Sequence, residues 1–133
     1  MIDYEMIAAR EAIGQTAAAV LEVQASHAAI YLTILFAYMS VAYVAGKELT
    51  RFQLATVTFV FIAAAGREIY LITLFGLAAR LKSAQLAEIY EHSPAPALFS
   101  GADNSIFWPI AIWALGILAS LIFMWSIRNS KAE

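Results

Sequence analysis

The sequence predicts an all-α membrane protein with three transmembrane helices, and three observations carry that prediction. Of 133 residues, 62% are hydrophobic and only 14% charged, whereas a soluble domain is about half apolar and a quarter charged. Three stretches reach the roughly 20 apolar residues that cross a hydrocarbon core of about 30 Å. No stretch alternates apolar and polar residues with a period of two, as the strands of a membrane barrel do.

The first span is Ala28 to Gly46, without a charge. Its upstream region, residues 1–27, is rich in Ala, Glu and Gln and has Gly14 as its sole glycine. Met6, Ile13, Val20 and His27 recur every seven residues, with Ala9, Ala17 and Gln24 between them, a loose heptad stripe. One helix from about Asp3 to Gly46 is expected, with its first half standing outside the membrane. An N-terminus reading Met1-Ile2-Asp3-Tyr4-Glu5 has no early basic residue, unlike a secretory signal, so the first span is expected to stay in the mature protein.

The second span, residues 53–79, runs from Gln53 to Ala79. A helical extension over residues 80–92 follows, in which Leu86, Ile89 and Tyr90 share a face. Pro94 and Pro96 open a loop over residues 93–105, with Asn104 or Ser105 as a candidate N-cap. The third span is residues 106–127, with Pro109 in its first turn and Trp108 and Trp125 near its two ends. Residues 128–133 form the tail. Because the second helix runs antiparallel to the first, their extensions are expected to emerge together as an acidic stalk carrying Asp3, Glu5, Glu11, Glu22, Glu88 and Glu91. The scarcity of Lys and Arg there argues against a helix lying flat on lipid.

Basic residues flanking the spans favour an orientation. Lys47, Arg51, Arg128 and Lys131 lie at one end, against Arg10, Arg80 and Lys82 at the other. The positive-inside rule then puts the C-terminus in the cytoplasm and the N-terminus outside a bacterial-type inner membrane.

Arg67 and Glu68 interrupt the second span near its midpoint. Each is about 14 residues, or roughly 20 Å, from an interfacial arginine. Ionised residues at such depth face a bundle interior or water. Neighbours in sequence point about 100° apart on a helix and do not face each other. The expectation is therefore an ion pair between Arg67 of one subunit and Glu68 of the next, in a cyclic homo-oligomer. Tyr38, Ser40 and Tyr70 are candidate polar supports. Small residues that let helices approach closely are Ala29, Thr33 and Ala37 on the first span and Gly116 and Ser120 on the third.

Two functions from different classes fit these residues. One is a small ion or proton channel with an Arg67/Glu68 ring. The other is a non-conducting scaffold in which the pair is structural and the stalk or the loop at 93–105 docks a protein partner. Several chemistries are set aside. A net charge of −2 offers no basic surface for nucleic acid. The absence of cysteine removes thiol chemistry and Cys-type zinc sites. Glu88, Glu91 and His92, with Glu22 and His27, have spacings a metal can use but are read as a solvated polar face. The two histidines lie outside the spans, which disfavours bis-His haem, and His27 is read as an interfacial anchor. No cofactor, metal or catalytic residue is expected.

Overall fold

A computed structural model describes residues 4–89 and 107–130. The described residues form three helices: α1 over Tyr4–Ala45, α2 over Arg51–Ile89 and α3 over Phe107–Asn129. Each contains a segment long and apolar enough to cross a membrane: Ile7–Ala45, Arg51–Lys82 and Pro109–Asn129. The loop at 93–105, the last residues of the second extension, the tail from 131 and the candidate caps Asn104 and Ser105 lie outside the described residues.

The expected continuity of the first two helices is observed. No proline interrupts either of them. The turn between them is short. Gly46 N–H still donates to the Ala42 carbonyl at 2.9 Å, closing α1, and Leu49 N–H donates to Ala45 at 3.1 Å. Thr50 then caps α2 reciprocally with Gln53. The Thr50 N–H donates to Gln53 Oε1 at 3.0 Å, and the Gln53 N–H donates to Thr50 Oγ1 at 3.3 Å, a capping box.

A turn this tight makes α1 and α2 an antiparallel hairpin, and their packing has a visible period. Tyr31, Leu35, Tyr38 and Ala42 are buried on α1, and Phe61, Ala65, Glu68 and Ile72 on α2. Both sets follow the spacing four, three, four. That is the heptad seam of helices crossing at about 20°. Half-buried positions continue the seam outward on α1 through His27, Gln24, Val20, Ala17 and Ile13, so the stripe legible in the sequence is the one that packs.

Helix α3 lies across both arms. It buries Ser120 and Met124 and sets Trp113 edge-on against Tyr31, with ring centroids 5.1 Å apart. The Tyr31 hydroxyl donates to the Trp113 carbonyl. Close approach here depends on Gly116, where a β-carbon would fall 2.5 Å from the Tyr31 hydroxyl oxygen and 3.0 Å from Leu35. At the other end, Arg128 Nη1 donates to the Leu49 carbonyl at 3.0 Å, tying the end of α3 to the α1–α2 turn. With 23 residues against 42, α3 is shorter than α1 by about 28 Å at 1.5 Å per residue. Both arms of the hairpin therefore run on beyond it.

Candidate functional site

Glu68 occupies a seam position that the heptad pattern reserves for an apolar side chain, and its side chain is only 2% exposed. A buried carboxylate must find partners or lose its charge. Both oxygens are satisfied inside one chain. The His27 Nδ1–H donates to Oε2 at 2.6 Å, and the Arg67 Nη1–H donates to Oε1 at 2.7 Å. The His27 ring is held from behind by Phe75, stacked at 5.4 Å with planes 11° apart. One turn further along, Gln24 Nε2 donates to the Ile72 carbonyl at 3.3 Å, so a second polar contact follows in the same seam.

The pairing of Arg67 with Glu68 differs from the expectation that adjacent residues cannot meet. The rule concerns the directions of the Cα–Cβ bonds. Arginine has a long, flexible stem, and from the outer flank of α2 it bends back until its fork reaches the edge of the seam. An acceptor for a neighbouring subunit's arginine is thus already taken within the chain. The two charges are nevertheless treated unequally. Glu68 is buried, whereas the Arg67 side chain is 69% exposed.

His27 is the residue that sequence reasoning missed. Facing positions in the hairpin are Gln24 with Ile72, His27 with Glu68 and Tyr38 with Thr58, pairs whose numbers sum to 95 or 96. Level is therefore set by counting from the turn, and Glu68 stands opposite residue 27. Counting from the middle of each apolar span instead put Tyr38 and Ser40 beside Arg67. Tyr38 in fact lies about three turns away, stacked on Phe61 at 4.0 Å with its hydroxyl 3.1 Å from Thr58 Oγ1. Ser40 is exposed and donates to the Phe36 carbonyl of its own helix at 2.8 Å. Tyr70 follows Arg67 by one turn, with its side chain exposed. The signal that would have found His27 was present: it is the fourth member of the seven-residue series.

The small residues divide between two roles. Gly116 and Ser120 face inward, against Tyr31 and Leu35 and within the core. Ala29, Thr33 and Ala37 are exposed along one side of α1. The Thr33 hydroxyl donates to the Ala29 carbonyl at 2.9 Å, which leaves that side with no unmet polar group at this position. Of the groups considered for metal, His27 is committed to Glu68, Glu22 is exposed, and Glu91, His92 and the Glu88 side chain lie outside what is described.

The cluster's height along the bundle follows from α3. Tyr31 is level with Trp113, so His27, one turn beyond it, is level with Pro109, in the first turn of the described part of α3. Seventeen residues separate Arg51 from Glu68, about 26 Å of helix. Measured against the described part of α3, the cluster stands near one end of the stretch where three helices pack together.

No protein-family model matches the chain, and no curated protein or solved structure shows significant similarity to it.

Proposed function

We propose that the chain is a multi-pass membrane protein acting as a non-conducting scaffold, whose α1–α2 extension docks a protein partner. One observation carries the reading. Beyond the level of the described part of α3, α2 exposes Leu74, Leu77 and Leu81 along one side and α1 exposes Leu21 and Val23. Exposed apolar side chains on an extension that no third helix covers among the described residues support an interaction surface. In this reading the membrane's apolar core matches α3, whose 21-residue apolar stretch spans about 30 Å. Lys47, Arg51 and Arg128 then flank the cytoplasmic face of a bacterial-type inner membrane. The exposed side of α1 bearing Ala29, Thr33 and Ala37 is the face for self-association, by close helix approach. The Glu68 cluster has a structural role here: it fixes the register of the hairpin and so holds the extension upright.

The chain has no cysteine, so single introduced thiols test the docking surface directly. L77C should be shielded from a maleimide reagent in native membranes and become reactive after solubilisation. Equal labelling before and after would refute a docked extension.

A small proton channel is the second reading, favoured by the 2.6 Å imidazole–carboxylate contact with His27 still 20% exposed. It requires proton flux in liposomes that Glu68→Gln abolishes without changing assembly. The scaffold reading requires no flux from either protein.

A further inference from the structure

Arg67 poses a problem that the cluster itself leaves unsolved. A guanidinium carries five N–H donors in a planar fork. One of them goes to Glu68, and no other described residue bonds this side chain. Around it on the outer side of α2, Val60, Ala63, Tyr70 and Leu74 are exposed. Among these only the Tyr70 hydroxyl is polar, and among the described residues it makes no hydrogen bond to Arg67. Hydrocarbon cannot satisfy such a group, and charged side chains within spans find partners or reach the interface.

The height of Arg67 supplies the partner's chemistry. It stands 16 residues from Arg51, about 24 Å along the helix, in a bundle whose α3 matches a core of about 30 Å. The remaining distance is at most about 6 Å, within reach of an arginine extending toward the surface. On the membrane reading above, the unoccupied edge of the fork meets the layer of lipid phosphates. Arginine binds phosphate oxygens through two parallel N–H···O bonds. Tyr70, one turn nearer the surface on the same side, offers a further hydroxyl.

We propose that Arg67 and Tyr70 form a binding site for a phosphate oxyanion, supplied by the headgroup of an anionic phospholipid. Glu68 acts as a positioning residue, because its Oε1 anchors one edge of the guanidinium and leaves the other presented outward. A second copy is a poorer occupant. The carboxylate nearest in level is Glu68 itself, which is buried and already doubly bonded, while two copies related by a twofold axis along the membrane normal would set arginine against arginine.

The test uses the full chain in detergent, with retained lipid counted by native mass spectrometry. Phosphatidylglycerol is the probe, a phosphate-free glycolipid the control, and inorganic phosphate the competitor. The wild type should retain phosphatidylglycerol about tenfold more tightly than Arg67→Gln, and Arg67→Lys should fall between them because it keeps the charge and loses the fork. Tyr70→Phe should weaken retention by a smaller factor. Equal retention by the wild type and Arg67→Gln, or equal retention of the glycolipid, would overturn the site. Displacement by millimolar inorganic phosphate would overturn the lipid as its source. A lower oligomeric mass for Arg67→Gln would show that protein covers the guanidinium, and would overturn the proposal too. Flotation of the wild type with phosphatidylcholine vesicles separates the two inferences. A chain that fails to float refutes the membrane reading, whereas one that floats and shows no Arg67 dependence refutes only the phosphate site.

Discussion

Replacing His27 by alanine should cost about 3 kcal/mol, and the structure says where that comes from. The Nδ1–H bond to Glu68 Oε2 is lost. Hydrogen bonds to charged groups contribute about 1.5–3 kcal/mol. The stack on Phe75 is lost as well, an aromatic contact worth about 0.5–1.5 kcal/mol. Arg67 still holds Oε1, so the carboxylate is not stripped bare. That keeps the penalty at or below the roughly 3–5 kcal/mol of a broken buried pair. His27→Phe separates the two contributions, because it keeps a ring for Phe75 and removes the donor. It should recover about 1 kcal/mol of the loss. Reversible unfolding in mixed micelles, followed by tryptophan fluorescence, gives each free energy. Completing a double-mutant cycle with Glu68→Ala isolates the pair. A coupling of about 2 kcal/mol is expected for a direct bond to a charged group. Additivity of the two single substitutions to within about 0.5 kcal/mol would mean that the side chains do not meet, and the latch between the arms would be refuted.

Two further outcomes follow from the packing of α3. Gly116→Ala should destabilise by about 1–3 kcal/mol through overpacking, since the new methyl collides with the Tyr31 hydroxyl and Leu35; Tyr31→Phe removes that hydroxyl and should act as a partial suppressor in the same unfolding assay. Arg128→Ala removes the bond to the Leu49 carbonyl and a cation at the C-terminal end of α3. The loss is about 1 kcal/mol, read as faster amide exchange confined to the last turns of α3 and the α1–α2 turn.

What the sequence determined by itself is one-dimensional. Helix α1 runs unbroken from Tyr4 to Ala45 and α2 from Arg51 to Ile89, because no proline interrupts them and the turn between is marked by Gly46 and Thr50. The heptad series ending at His27 already identified the face that packs. Arg67 and Glu68 stood out because hydrocarbon tolerates no unpartnered charge. Only the tertiary structure decided which groups would partner them, since contact depends on register across two helices. In an antiparallel hairpin, register is counted from the turn; the centres of the two apolar stretches do not measure it. That count moved Tyr38 and Ser40 away from the charges and brought in His27, 41 positions away along the chain. Height along the bundle was equally hidden: α2 seen alone puts its charges at its own midpoint, whereas the described part of α3 beside it puts them near an end. Exposure, too, was beyond a linear reading, because two adjacent residues on one helix face different surroundings. The seam takes Glu68 and leaves Arg67 outside.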